Sequence, residues 1–258
     1  MRFKFMAMGL VLLLLHFGVG CVNLTLPSVR KIHRWQKNAM RGDAKAQYNL
    51  GSCYKNGQGV ETNYLEAVKW FRKSAEQGYA KAQCALGFVY RQGLGVVQDS
   101  EEAVQWFRKS AENGDAEAQY YLGVAYAKGD VVDRDYDMAA KWYRKSAEQG
   151  NAKGQYVFGV ACAEGRGVEK DYAEAVKWLR KSAEQGESEA QYDLGACYVL
   201  GIGVEKNPQT ALGWLILAKN RGIDKALVKS ALLEKELSPA QLESAHSWAK
   251  QWKPKSDK

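Results

Sequence analysis

The segment Asp43–Gly78 reads DAKAQYNLGSCYKNGQGVETNYLEAVKWFRKSAEQG, and its spacing decides the fold. Good helix formers run from Ala44 to Asn56, with Ala46, Leu50 and Tyr54 at four-residue spacing on one face. Asp43 suits the N-cap, because its short carboxylate can accept from a free backbone N–H of the first turn. Gly57 suits a left-handed position after the helix, and Gly59 lets the chain turn again. Asn63 is placed to cap a second helix, with Glu66 three residues on completing a capping box. That helix runs to about Glu76 and ends at Gly78, with Ala67, Trp70, Phe71, Ser74 and Ala75 as its buried stripe. The unit is a helix, a Gly-x-Gly loop and a second helix.

The unit recurs. Trp70, Trp106, Trp142, Trp178 and Trp214 are each 36 residues apart. Gly42, Gly78, Gly114, Gly150, Gly186 and Gly222 keep the same step, as do Leu50, Leu86, Leu122, Phe158 and Leu194. Three series in phase define a tandem array of five units: 43–78, 79–114, 115–150, 151–186 and 187–222. Asp99 with Glu102 and Asp171 with Glu174 repeat the expected capping box, and Pro208 follows the cap Asn207 at the favoured first helical position. Neither helix of a unit is long enough to persist alone in water. Stacking removes the Trp and Leu surface from water at roughly 25 cal/mol per Å², with Ala46, Gly51 and Ala75 letting helices approach. The expected fold is all-α, a right-handed α-solenoid with a C-terminal helical cap, stabilised between nearest neighbours. The fifth unit has LILAKNRG where the first has FRKSAEQG, a drift expected of a terminal repeat whose outer face meets solvent.

The pattern A-x-Y-x-L-G-x-x-Y-x-x-G-x-G-V followed by A-x-x-W-[FY]-x-K-x-A-E-x-G resembles the Sel1-like repeat, a relative of the tetratricopeptide repeat, from Asp43 to Gly222. The resemblance implies a non-enzymatic protein that binds a protein partner on the concave face lined by the first helices. It also implies competing roles: an immunity or antagonist protein for a toxic effector, an envelope hydrolase acting on β-lactams or peptidoglycan, or a displayed adhesion factor.

The flanks carry other information. Residues 1–20, MRFKFMAMGLVLLLLHFGVG, have the basic start, apolar run and small residues of a secretory signal peptide. Cys21 follows Gly20 as in a bacterial lipoprotein cleavage site, although Gly18 departs from that pattern; lipidation of Cys21, simple cleavage and an uncleaved anchor all stay open. Residues 21–42 then form a tether and an N-terminal capping helix, and 223–258 a cap and basic tail. The expected location is periplasmic or lipid-anchored in the cell envelope, with the membrane touched only through the leader or lipid.

The composition, 46% hydrophobic and 26% charged, excludes general disorder. The net charge of +8 favours acidic partners weakly, and inside the repeats basic residues alternate with Glu, which is not a nucleic-acid signature. Cys53, Cys84, Cys162 and Cys197 lie on first helices and read as small buried hydrophobes, with a Cys162–Cys197 bridge across adjacent units left open. No C-x-x-C occurs, and His16, His33 and His246 are not spaced with another ligand or carboxylate, so no metal or cofactor is expected. S-x-x-K occurs at Ser28, Ser52 and Ser247 without S-D-N or K-T-G, and the recurring Ser74, Ser110, Ser146 and Ser182 read as packing residues.

A binding surface is sought where the repeat varies. The first-helix series Lys55, Arg91, Ala127, Ala163, Val199, with Ser52, Phe88, Val124, Val160, Ala196 and Lys45, Lys81, Glu117, Lys153, Glu189, describes a gradient from basic to apolar. The candidate contact residues are Lys45, Ser52, Lys55, Lys81, Phe88, Arg91, Val124 and Ala127, and the expected partner is a polypeptide with an acidic and an apolar end, held by a monomer. In the competing reading, Phe88, Val124 and Val160 pack between units.

Overall fold

The computed structural model describes residues 26–255, with side chains from Lys31 onward. The leader 1–20 and Cys21 lie outside the described residues. Among the described residues there are thirteen helices and no strand: α1 (Leu26–Met40), α2 (Ala44–Asn56), α3 (Tyr64–Glu76), α4 (Ala80–Gln92), α5 (Ser100–Glu112), α6 (Ala116–Lys128), α7 (Tyr136–Glu148), α8 (Ala152–Glu164), α9 (Tyr172–Gln185), α10 (Ser188–Leu200), α11 (Pro208–Asn220), α12 (Asp224–Glu234) and α13 (Pro239–Gln251). This is an α-solenoid of helix pairs. The chain divides into two compact units, one ending at Gln77 and containing α1–α3, the other beginning at Gly78 and containing α4–α13. None of these helices is long and apolar enough to cross a membrane.

Local chemistry sets the helix ends. Asp43, Asp115 and Asn151 accept from the backbone N–H three residues on, as do Asn63, Asp99, Asp135 and Asn207 at the second helices. Gly57, Gly93, Gly129, Gly165 and Gly201 close the first helices with positive φ. The expected capping boxes at Asn63, Asp99 and Asp171 form only on the N-cap side. Each cap's own N–H already donates to a carbonyl nine residues back: Asn63 to Tyr54, Asp99 to Tyr90 and Asp171 to Cys162. The glutamates are thereby released. Glu66 pairs with Lys69, while Glu102 and Glu174 accept from the indoles of Trp106 and Trp178 at 2.8 and 2.6 Å.

Within each repeat the two helices close on a first-helix glycine. A Cβ at Gly51, Gly87 or Gly123 would lie 2.5–2.7 Å from the ring of Phe71, Phe107 or Tyr143. The first four repeats also carry a buried polar seam. Ser74, Ser110, Ser146 and Ser182 donate their hydroxyls to the carbonyls of Ala44, Ala80, Ala116 and Ala152 at 2.6–2.7 Å. Buried Gln47, Gln119, Gln155 and Gln191 donate to a carbonyl eight residues back. Gln47, Gln83, Gln119 and Gln155 accept from Gln77, Asn113, Gln149 and Gln185 at 2.7–2.9 Å. The serine and paired-amide bonds tie each of these second helices to its own first helix, and the glutamine-to-carbonyl bonds tie a first helix to the second helix before it.

The fifth repeat overturns one expectation. The middle of its second helix, α11, is enclosed on every side: Ala211 to Ala218 are all buried, because α12 and α13 pack against it. The drift from charged to apolar residues answers that enclosure. Gly213 stands where the fourth repeat has Lys177, and a Cβ there would lie 2.7 Å from the Trp248 ring. Trp248 and Trp252 meet Trp214 edge-on with centroids 5.0 and 6.3 Å away. The tail returns to α9, where the Lys255 backbone and Nζ both donate to Glu184. The periodic indoles of Trp142, Trp178 and Trp214 are buried, whereas Trp70 and Trp106 are half-buried.

Candidate protein-binding surface

In the first unit, α2 carries Lys45, Ser52 and Lys55. Lys45 is exposed and Lys55 half-buried, and the Ser52 hydroxyl donates to the Tyr48 carbonyl at 3.0 Å. In the second unit, α4 carries exposed Lys81, half-buried Phe88 and half-buried Arg91. Phe88 packs between helices as the competing reading holds, meeting Phe107 and Tyr121 edge-on at 5.3 and 4.8 Å. Arg91 lies over that nest, its guanidinium carbon 4.5 Å from the Tyr121 centroid and 5.0 Å from that of Phe88. Aromatic faces hold the cation in place and leave its N–H groups for a partner.

Two grooves open along these helices. The first, about 250 Å³, is lined by Arg91, Ala103, Phe107, Tyr121, Val124 and Val131, with Lys128 and Asp130 also on its wall. The second, about 200 Å³, is lined by Ala127, Ala140, Tyr143, Val157 and Val160, with Glu164 and Arg166 also on its wall. A shift of one repeat converts one lining into the other, Arg91 into Ala127 and Val124 into Val160. The same groove is therefore built twice from one backbone, with Arg91, Lys128 and Asp130 at the first copy where the second has Ala127, Glu164 and Arg166. Val131 stands where the other repeats have Gly59, Gly95, Gly167 and Gly203 at positive φ, and among the described residues no non-glycine residue has a positive φ. A Cβ at Gly167 or Gly203 would lie 1.9 or 2.1 Å from the carbonyl oxygen of Tyr136 or Tyr172. The third loop cannot follow that path, and Val131 reaches the first groove instead.

Sequence reasoning passed over two other series on these helices. Tyr156 on α8 donates to Asp193 on α10, and burial is the main reason that both are pushed up from their ordinary pKa. Glu189 adds negative charge beside the pair, with Lys225 and Lys229 of α12 opposing it at Asp193. The apolar trend from Val124 to Val160 thus gives way to an acidic, aromatic patch. No periodicity marks it, since Asp193 takes the place of Asn49, Ala85, Tyr121 and Val157. At the cap a third cavity, about 430 Å³, is lined by Arg180, Tyr198, Gln209, Trp214, Ser244 and Trp248 among others.

The remaining chemical candidates are placed as follows. The four described cysteines are free, and burial pushes the thiols of Cys53, Cys84, Cys162 and Cys197 up. His246, read as lacking a carboxylate, lies 3.7 Å from Glu234 on the cap surface, a contact made by α12 and α13 folding together. The Ser247 hydroxyl accepts from Gln251 at 3.0 Å. Among the described residues no group of three His, Cys, Asp or Glu side chains is placed to hold a metal.

Five consecutive segments, 44–79, 80–115, 116–151, 152–187 and 188–223, match the family model for the Sel1 repeat. Among solved structures, a Sel1 repeat protein from Oxalobacter formigenes is 34% identical with a TM-score of 0.68, over 82% of this chain and 88% of that one. A protective antigen present in uropathogenic Escherichia coli strains, displaying an SLR fold, is 33% identical with a TM-score of 0.60. That alignment covers 87% of this chain, which spans only 56% of the antigen chain. No curated protein matches the chain.

Proposed function

This chain belongs to the Sel1 repeat family, whose members bind protein partners, and we propose that it is an exported, non-enzymatic scaffold that holds a polypeptide against its first helices. The recurrence of one groove in successive repeats carries this reading. A register-repeated socket suits an extended or helical segment with side chains at regular intervals. Arg91 at the first copy selects an acidic group, and the second copy, with Ala127 in place of that cation, takes an apolar one beside Val157 and Val160. On the second unit Lys81 adds an exposed cation for acidic stretches of that partner, and on the first unit Lys45 and Lys55 offer cations of the same kind, while the Ser52 hydroxyl is held by Tyr48. The leader 1–20 supports export, with Cys21 as the point of lipid attachment, and the scaffold acts as a monomer. The serines argue against hydrolysis, since Ser52 and the four repeat serines spend their hydroxyls on backbone carbonyls.

The test is capture from envelope fractions of the native cell, quantified by mass spectrometry. Arg91→Glu and Ala127→Trp, which reverse the first groove's charge and fill the second, should each lower recovery of the same partner at least about tenfold. Unchanged recovery by both variants would remove the grooves from the function.

A further inference from the structure

We propose that α1 lies against an anionic phospholipid surface, through a stripe of cations on the side turned away from α2. No Asp or Glu occurs between Met1 and Gly42. Elsewhere the exposed faces of second helices mix signs: Lys69 pairs with Glu66 at 2.6 Å on α3, and Lys177 with Glu174 at 3.1 Å on α9. On α1 the packed side is Ile32 and Ala39, with Trp35 and Gln36 half-buried. Arg34 and Lys37 stand on the opposite side of the helix, and Arg41 follows in the turn, all three exposed. The spacing of Arg34, Lys37 and Arg41 is that of a single helical stripe, about 10 Å long at 1.5 Å per residue. Among the described residues no ion pair holds Arg34, Lys37 or Arg41. Met40, 77% exposed, adds an apolar side chain near the same surface.

The position of the stripe favours lipid over an acidic protein. Only ten residues separate the apolar run Met8–Leu15 from Leu26, and Cys21 is nearer still. Ten residues span at most about 35 Å, so any anchor at the leader or at Cys21 delivers α1 to the headgroups. One hydrophobic insertion plus one polybasic patch is the two-signal arrangement that stable attachment requires, and each Lys or Arg at an anionic surface strengthens it. The stripe does not depend on the grooves of α4–α8, and its failure would leave them untouched.

Vesicle flotation of the purified full chain tests this, reading the lipid concentration that retains half of it. Vesicles of phosphatidylcholine with about 30 mol% phosphatidylglycerol should need at least about tenfold less lipid than phosphatidylcholine alone at about 0.05 M NaCl, and the advantage should shrink below about threefold at about 0.5 M. The variant Arg34→Glu/Lys37→Glu/Arg41→Glu should lose the advantage. The control Lys69→Glu/Arg72→Glu/Lys73→Glu on α3, with the same change in net charge, should keep it. Equal retention on both vesicles, an unaffected α1 variant, or an equal loss in the α3 control would overturn the proposal. So would salt-sensitive retention on a polyglutamate matrix without any vesicle preference, which would assign the stripe to an acidic protein.

Discussion

The fourth and fifth repeats share one backbone plan and differ in what lies outside their second helix. On α9 the outer face is water, and it carries Lys177 and Lys181, with Glu174 accepting from Trp178. On α11 that face is the cap, and the same positions become Gly213 and Leu217. The polar seam changes with them. Ser182 becomes Ala218, and Gln185 becomes Arg221, which donates to the Gly186 carbonyl and lies over Trp252. Gln191 Oε1 is consequently buried without a partner, whereas Gln155 Oε1 accepts from Gln185 at 2.9 Å. A residue that recurs in every internal repeat is thus tied to a bond that recurs, and where the neighbour changes, the residue changes too.

Making the fifth repeat like the fourth should break the cap. Gly213→Lys forces a side chain into the Trp248 ring and should cost about 2–3 kcal/mol in chemical denaturation; a variant as stable as the parent would show that the cap is not seated on that glycine. The two glutamines sharpen the contrast. Gln155→Met removes two hydrogen bonds and Gln191→Met one, so the losses should be about 2 and about 1 kcal/mol in parallel urea titrations. Equal losses would mean that the seam partner adds nothing. Ser182→Ala should cost about 1 kcal/mol, since the Ala152 carbonyl loses one of its donors.

The smallest effect is one of pH. Burial raises the Asp193 carboxyl above the usual carboxylate range, so the folded chain holds this proton more tightly than the unfolded chain does. Its contribution is then fully present below the ordinary carboxylate pKa near 4 and is lost as pH rises through the raised value. Asp193→Asn should therefore flatten the decline in melting temperature over that window; an identical decline in the variant would place its source elsewhere.

Periodicity made the array, its caps and its buried stripe legible, because each depends on neighbours within one unit or on the identical neighbour one unit away. Gln47 and Ser74 recur just as visibly as Trp70, yet only packing shows that one accepts from Gln77 and the other donates to Ala44. The glutamates at the third helical position were misleading, since a capping box presumes a free N–H that the loop geometry had already satisfied. The enclosure of α11 and the His246–Glu234 contact arise from the cap, which follows no repeat. On the candidate surface, Arg91, Val124 and Ala127 line the grooves. Tyr156 and Asp193, which meet across adjacent repeats, carry no signal in either residue alone.

The central claim is that the varied first-helix positions, and not the exposed second-helix ones, touch a partner. A photo-crosslinking amino acid at Val124, Val160, Lys141 and Lys177, in turn, tests it in living cells. The expected result is one discrete adduct from Val124 and Val160 that disappears with Arg91→Glu, and none from Lys141 or Lys177. Adducts from the two lysine positions, with Val124 and Val160 silent, would contradict it.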